Sequence, residues 1–152
     1  MRTTLVAVGR VRRGLREVCD DYLRRIGRYG EIAEREVKEG PAARPVGERR
    51  RVEGERLLAG IDPATTVVAL EPTGDPWRSE ELATRLERWR LEARPVALLI
   101  GGPHGLDPAV LARANHRWSL GPLTLAHELA RVVVLEQWYR AWTILRGEPY
   151  HK

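Results

Sequence analysis

A glycine-rich turn, Gly101-Gly-Pro-His-Gly105, directly follows the most apolar segment of the chain, residues 96–100. Glycine lets the backbone approach a ligand closely or adopt positive φ, and open parallel sheets bind ligands at the carboxyl ends of their strands. The turn lacks both the G-x-G-x-x-G spacing of dinucleotide-binding loops and the lysine of a phosphate-binding P-loop. It therefore indicates either a ligand loop that uses backbone groups or an ordinary tight connection between a strand and a helix.

A second unusual stretch begins at Ser119-Leu-Gly-Pro-Leu-Thr-Leu125 and continues into a predicted helix over residues 126–145. The apolar residues of this helix cover more than the single stripe of an ordinary surface helix. We expect one side to pack on a sheet and another to contact a second subunit, with tryptophan and tyrosine as anchors. The polar residues among them then need either partners or a task; they are His127, Glu136 and Arg140.

These two stretches lie within a regular alternation of strands and helices. Apolar runs predict strands over 4–8, 32–37, 66–70, 96–100 and 118–120, and helical spacing predicts helices over about 15–29, 46–58, 108–114 and 126–145. One more helix starts at Ser79, which we expect to cap it without a capping box, because no acid lies three residues later. The alternation is typical of an α/β fold with a mostly parallel sheet and helices on both faces. The length of 152 residues, without a linker, predicts a single domain over 1–152.

The formal charge of +5 would suit a polyanionic partner such as RNA. Of the 26 basic residues, only Lys38 and Lys152 are lysine. Such a bias is typical of a genome that favours arginine codons, and it weakens the charge as evidence for an RNA partner. Any one arginine run is also compatible with an ordinary solvated face. The candidate contact residues are Arg10, Arg12 and Arg13, then Arg24, Arg25 and Arg28, then Arg49, Arg50 and Arg51.

Other classes of protein receive little support from the composition. The only cysteine, Cys19, can form no internal disulfide and has no Cys/His companions for a metal cluster, so we expect a small buried side chain. The first ten residues are too weakly apolar for a signal peptide, and no segment approaches the roughly 20 apolar residues that span a bilayer. We therefore expect a cytoplasmic protein.

Five segments together resemble a known family. They occur in order along nearly the whole chain: Val6-Ala-Val-Gly9, Leu98-Leu-Ile-Gly-Gly-Pro-His-Gly105, Ser119-Leu-Gly-Pro-Leu-Thr-Leu125, Glu136-Gln-Trp-Tyr-Arg-Ala-Trp142 and Pro149-Tyr-His151. The set resembles the RlmH family, the ribosomal large-subunit (23S) pseudouridine N3-methyltransferases of the SPOUT superfamily. The resemblance implies a C-terminal trefoil knot, a rare exception among folds, and a homodimer that acts on ribosomal RNA.

The resemblance also implies that S-adenosylmethionine binds among the knot loops, largely through backbone groups. Apolar and glycine residues suit an adenine ring, which needs a flat apolar slot. Two departures from the family pattern leave the loop geometry open: Ala126 stands where proline is common, and Glu71 follows Leu70 where aspartate is more usual. The implied cofactor residues are Leu70, Gly102, Gly121, Pro122, Leu123, Thr124, Leu125 and Ala126.

Transfer of a methyl group to a ring nitrogen requires alignment and removal of one proton, but no metal. Under the resemblance, we expect Arg140 to stabilise negative charge, His151 to relay a proton, and Tyr150 to stack on the base. The three-residue tail could equally be disordered. Two further interpretations remain open: a non-catalytic module that binds RNA or the ribosome, and a small-molecule α/β enzyme with a nucleotide ligand.

Overall fold

The computed structural model describes residues 1–151, with the side chain of His151 and all of Lys152 outside the described part. A five-stranded sheet lies at its centre, and every pairing in it is parallel. The elements are β1 (Arg2–Val8), α1 (Arg13–Ile26), β2 (Glu31–Val37), α2 (Val46–Leu58), β3 (Thr66–Asp75), α3 (Ser79–Leu91), β4 (Val96–Ile100), α4 (Pro108–Arg113), β5 (His116–Trp118), α5 (His127–Leu145) and a final 3-10 turn (Pro149–His151). The strand order is β2-β1-β4-β3-β5.

Helices cover both faces of the sheet. On one face α1, α3 and α5 bury the larger apolar cluster, which includes Leu98 and Trp138. On the other face α2 and α4 bury a smaller cluster, which includes Leu99 and Leu57. All five residues of β4 are buried, as expected for a central parallel strand covered on both sides. The predicted α/β fold with helices on both faces is thus confirmed.

The last strand differs from the prediction by two residues, because the pairing of Asn115 with Val67 fixes its start. The Asn115 backbone N–H donates to the Val67 carbonyl at 2.9 Å, and the Asn115 side-chain oxygen accepts from the Val67 N–H at 2.8 Å. The strand therefore spans 116–118 rather than 118–120. Beyond it, the Ser119 hydroxyl donates to the Pro72 carbonyl at 3.0 Å and turns the chain away from the sheet.

The start of α3 also differs from the prediction. Arg78 occupies the N-cap position, and Ser79 is the first helical residue. The Ser79 hydroxyl instead donates to Gln137 on α5 at 2.6 Å. The Glu81 carboxylate accepts from the backbone N–H of Arg78 at 2.7 Å, which satisfies one of the free donors at this helix start. The expected serine cap is therefore wrong, because Ser79 joins α3 to α5. The expected absence of a capping-box acid is also wrong, because the N-cap is Arg78 and Glu81 lies three residues after it.

A buried arginine fixes α5 to the first two strands. Arg131 is fully buried, donates to Glu34 at 3.1 Å and Glu36 at 2.7 Å, and donates to the Gly9 carbonyl at 2.9 Å. A buried charge requires such pairing because its desolvation is costly. These contacts hold the start of α5 beside the carboxyl ends of β1 and β2. Within residues 1–151, no helix is long and apolar enough to cross a membrane.

Candidate functional site

A cleft opens at the carboxyl edge of the sheet, where β4 and β5 end and α5 begins. Its floor consists of the last residues of β4 and β5 and the middle of β3, and the glycine turn and the segment before α5 form its walls. This position is where open parallel sheets bind ligands. The lining residues are Leu70, Glu71, Pro72, Ile100, Gly101, Gly102, Pro103, Gly105, Leu106, Trp118, Leu120, Gly121, Leu123, Thr124, Leu125, His127 and Ala130.

The glycine turn is packed so closely that side chains could not be added to its first two residues without displacement. A Cβ atom on Gly101 would lie 3.0 Å from the backbone of Gly105, and one on Gly102 would lie 3.2 Å from Val8 and 3.3 Å from the Glu53 carboxylate. Only backbone therefore faces the cleft at these positions. The turn is closed by a hydrogen bond of 3.0 Å from the Gly105 N–H to the Gly102 carbonyl.

The segment before α5 contains a glycine in a left-handed conformation. Gly121 has φ of 111°, a value that L side chains rarely adopt. The Ser119 hydroxyl accepts from the Gly121 N–H at 3.1 Å and so fixes this bend. Ala126 has φ of −55°, which lies within the range of proline. The alanine therefore has the φ angle that proline would impose at this position.

Six of the eight cofactor residues expected from the resemblance line the cleft. Pro122 and Ala126 lie in the same segment but are not among the lining residues. The structure thus brings together two stretches that are separate in the sequence, the glycine turn and residues 121–125, and adds Leu70 from β3. The six lining residues are Leu70, Gly102, Gly121, Leu123, Thr124 and Leu125.

Sequence reasoning missed the aromatic floor of the cleft. Trp118 lines it and stacks on Trp77 with a centroid distance of 5.7 Å. The sequence predicts a strand at Trp118, but the direction of its side chain depends on how β5 pairs with β3, which the sequence does not show. Because Trp118 is only 2% exposed, it supports the base of the cleft from within the core.

A buried carboxylate supports the glycine turn from below. Glu53 is only 3% exposed, and its Oε1 accepts from the Gly40 N–H at 2.9 Å. Helix α2 approaches α4 closely here, since a Cβ on Gly54 would lie 3.0 Å from Asp107 and Val110. A glycine inside a predicted helix marks close packing. The Glu53-Gly54 pair was therefore the signal that could have identified this contact.

The tail residues lie in a different place. Arg140 donates to Glu136 at 2.7 Å, and the Tyr150 hydroxyl donates to the same carboxylate oxygen at 3.1 Å. The Arg140 guanidinium lies 5.0 Å from the centre of the Tyr150 ring, and Tyr139 contacts that ring edge-on at 4.7 Å. Arg140 and Tyr150 are thus brought together as a tail cluster with Glu136 and Tyr139. The third expected catalytic residue, His151, has its side chain outside the described part of the chain.

The electrostatics of the tail cluster favour a fixed positive charge and a protonated phenol. The hydrogen bonds to Glu136 raise the pKa of Arg140 above its ordinary value, so the guanidinium stays charged. Burial, followed by the hydrogen bond with Tyr22, raises the pKa of Tyr150. Tyr150 is therefore a hydrogen-bond donor at neutral pH and not a base.

The tail cluster and the cleft are far apart within one chain. His127 lines the cleft at the first turn of α5, and Arg140 lies thirteen residues further along the same helix. At about 1.5 Å per residue, this separation is roughly 20 Å along the helix axis. The expected cofactor and catalytic residues are therefore not brought together by a single chain. Among the described residues, no group of three or more His, Cys, Asp or Glu is arranged to hold a metal ion.

Comparison with known proteins bears directly on this site. A family model described as "Predicted SPOUT methyltransferase" matches residues 1–151. The chain belongs to this SPOUT methyltransferase family. Among curated relatives of the family, the chain is 47% identical to "Ribosomal RNA large subunit methyltransferase H" of Pseudomonas paraeruginosa, with 100% of both chains covered. It is 46% identical to the protein of the same name from Pseudomonas putida, again over the full length. The resemblance to the RlmH family is confirmed.

Solved structures share the fold of this SPOUT family member at low sequence identity. A probable methyltransferase from Bordetella pertussis superposes with a TM-score of 0.58 at 19% identity, covering 93% of this chain and 94% of that one. A probable rRNA-methyltransferase from Porphyromonas gingivalis superposes with a TM-score of 0.55 at 13% identity, covering 95% of this chain and 70% of that one. These likenesses support the fold alone.

Proposed function

We propose that this protein transfers the methyl group of S-adenosylmethionine to N3 of a pseudouridine in large-subunit (23S) ribosomal RNA. The observation that carries the proposal is the cleft, which assembles Leu70, the glycine turn and residues 121–125 at the carboxyl edge of the sheet. The full-length similarity to proteins named ribosomal RNA large subunit methyltransferase H supports the RNA substrate. N3 of pseudouridine is the position that the RlmH resemblance implies.

The lining of the cleft fits S-adenosylmethionine. Leu70 and Leu125 provide apolar surface for an adenine ring, and the packed glycine turn presents backbone rather than side chains. We assign cofactor binding to the eight residues expected from the resemblance, of which Pro122 and Ala126 hold the segment in shape. Glu71 also lines the cleft, and its carboxylate accepts from the Thr73 hydroxyl at 3.0 Å.

The residues of the chain then have to align the base and manage one proton. S-adenosylmethionine, when bound, supplies an electrophilic methyl group on a positively charged sulfur. The N3 proton must leave as the new N–C bond forms, and Arg140, held charged by Glu136, can stabilise the negative charge that develops on the ring. We assign to Tyr150 the orientation of the base, and to His151 the relay of the proton.

We further propose that the active site is completed by a second copy of the chain. The tail cluster lies too far along α5 to reach the cleft of its own chain, so a homodimer is required to bring them together. Large apolar side chains near the cleft support this arrangement: Leu123 is 78% exposed and Leu129 is 45% exposed. Such side chains are typical of surfaces that a partner covers.

The remaining expectations from the resemblance form part of the same proposal. We propose that residues 1–152 form a single domain whose C-terminal part forms a trefoil knot. Because the proposed substrate is ribosomal RNA, we place the protein in the cytoplasm. The proposal involves no metal.

The decisive experiment measures methyl transfer from isotope-labelled S-adenosylmethionine to ribosomes that lack the modification. Mass mapping of the labelled nucleotide should place the label on N3 of a large-subunit pseudouridine. Label on another nucleotide would contradict the assigned substrate. RNA binding without cofactor binding would favour a non-catalytic RNA-binding module, and cofactor binding without RNA binding would favour a small-molecule enzyme.

A further inference from the structure

The ion pairs of the structure discriminate between the three arginine runs that the sequence presents. Arg24 and Arg25 both pair with Asp21. Arg51 pairs with Glu55 at 2.7 Å. These guanidinium groups are neutralised within the chain and are therefore weak candidates for binding an external anion. Arg28 is exposed and has no carboxylate partner among the described side chains, but it lies between the end of α1 and the start of β2, at the edge of the sheet opposite the cleft.

Arg10 and Arg13 in the first run are different. Both are exposed, and neither has a carboxylate within 4.0 Å among the described side chains. Arg12, between them, pairs with Glu128 at 3.6 Å, and its backbone N–H donates to the same carboxylate. Because Glu128 follows the cleft residue His127, this contact fixes the two free arginines beside the cleft.

The neighbouring loops add further positive charge to the same edge. Lys38 is exposed and directly follows β2, whose last carbonyl, that of Val37, accepts from the Gly9 N–H at 2.8 Å. Arg49 lies 3.3 Å from the ring nitrogen of His104, which stands in the glycine turn of the cleft. Glu39, beside Gly9, contributes one opposing charge.

We propose that Arg10, Arg13, Lys38 and Arg49, here called the basic rim, bind phosphates of the RNA strand whose base enters the cleft. This inference rests on the proposed function, since it assigns the RNA-binding surface of the same site. Guanidinium groups suit phosphate because their planar donors can bind two oxygens at once. Such contacts position the strand and carry no sequence information, so base selection remains a task of the cleft.

The basic rim lies at the carboxyl edge of the sheet, where β1, β2 and β4 all end. At the opposite edge of the sheet, two exposed arginines differ from those of the basic rim because each has a carboxylate partner. Arg88 and Arg94 are exposed there, at 78% and 58% of the side-chain surface, but both pair with Glu92. They provide a control with the same loss of charge.

The test compares the wild-type protein with Arg10→Gln/Arg13→Gln and with Arg88→Gln/Arg94→Gln. Binding to unmodified ribosomes is measured over a series of salt concentrations, without methyl donor, and donor binding is measured separately by calorimetry. Each phosphate contact on a single strand contributes about 0.7 to the slope of log affinity against log salt. The rim variant should therefore lose about 1.4 from the slope, with an increased KM for ribosomes and unchanged kcat and donor affinity.

Each outcome separates the two proposals. If the slope of log affinity against log salt is the same in the rim variant as in the wild type, or changes as much as in the control, the proposed role of the basic rim is wrong, even if methyl transfer occurs. If the rim variant shows the expected loss of slope but the wild-type protein transfers no methyl group, the basic rim is supported and the proposed reaction is contradicted. Wild-type protein that binds no ribosomal RNA would overturn both.

Discussion

Arg131 on α5 donates a hydrogen bond of 2.9 Å to the carbonyl oxygen of Gly9, the residue that follows β1. Arg131 lies one helical turn beyond the cleft residue His127, and Gly9 directly precedes Arg10 of the basic rim. One buried side chain therefore sets the position of the cleft wall relative to the rim. The same guanidinium pairs with Glu34 and Glu36, whose positions in β2 are two residues apart and so face the same side of the sheet.

Replacement of Arg131 by methionine should destabilise the protein by about 3 kcal/mol, because it removes the donor of the Gly9 carbonyl and leaves Glu34, 11% exposed, with only Arg16 as an ion-pair partner. Urea denaturation of the purified protein measures the change. The matched control is Arg88→Met, which removes an exposed ion pair with Glu92 and should leave the unfolding midpoint unchanged. Wild-type stability in Arg131→Met would contradict a structural role for this network.

Replacement of Gly102 by alanine should weaken S-adenosylmethionine binding by at least about tenfold. The new Cβ would lie 3.2 Å from Val8 and 3.3 Å from Glu53, so the glycine turn would have to shift against the cleft. Calorimetric titration with the cofactor measures the affinity. The control Gly47→Ala adds a methyl group where no atom lies within 4 Å, and should keep the affinity while stabilising α2 by about 0.5–1 kcal/mol. Equal affinities in the two variants would exclude the turn from the site.

Mixed dimers should reveal an active site shared between subunits. Arg140→Ala keeps an intact cleft, and Gly102→Trp, whose side chain is too large for the packed turn, keeps an intact tail cluster, so each homodimer should be inactive. A mixed dimer of the two would contain one site with both halves intact, and methyl transfer should return. Co-expression with two different affinity tags, followed by tandem purification, isolates the mixed species. Absence of transfer in a correctly assembled mixed dimer would argue that each site is built within one chain.

Acid should destabilise the protein in part through His116. Its ring packs between Trp77 and Trp89, and burial lowers its pKa, with further lowering by the charges of Arg85 and Arg88. The unfolded chain, with a histidine pKa near about 6.5, therefore binds a proton before the folded chain does. Stability is complete above that pH and is lost as the pH falls toward the lower folded pKa. Thermal unfolding between pH 7.5 and 5 should show a smaller loss for His116→Gln than for wild type; identical losses would contradict this contribution.

The sequence pattern predicted the parts of the fold that local order determines. The bounds of α2 and β4 are as predicted, because polar and apolar periodicity, a preceding loop and a following glycine or proline mark them clearly. The last strand was wrong by two residues, since its register depends on Asn115 pairing with Val67, which lies 48 residues earlier. Contacts of this range leave no trace in local periodicity.

The parts of the site that consist of glycine and apolar residues could be predicted from the sequence. Glycine and apolar residues at the end of β4 and before α5 indicated a ligand loop, and the family resemblance identified the same residues. The supporting charges were not predictable. Arg131 stands in the apolar run Ala130–Val134 of a buried helix, and nothing in that run indicates carboxylates 95 and 97 residues away in the chain. Glu53 is one acid among several on α2; the neighbouring Gly54 marks close packing of this part of the helix, but nothing local indicates that the carboxylate lies beside Gly102.

The stacking of Trp118 on Trp77 gives the protein an intrinsic optical signal. Trp118 is among the residues that line the cleft, and Trp77 also lies 6.4 Å from Trp89, which stacks on Trp138 at 6.2 Å. The four indoles therefore form one connected cluster that runs from the cleft into the core. A ligand that binds beside Trp118 would change the emission of this cluster, so ligand occupancy can be followed by tryptophan fluorescence in the unlabelled protein.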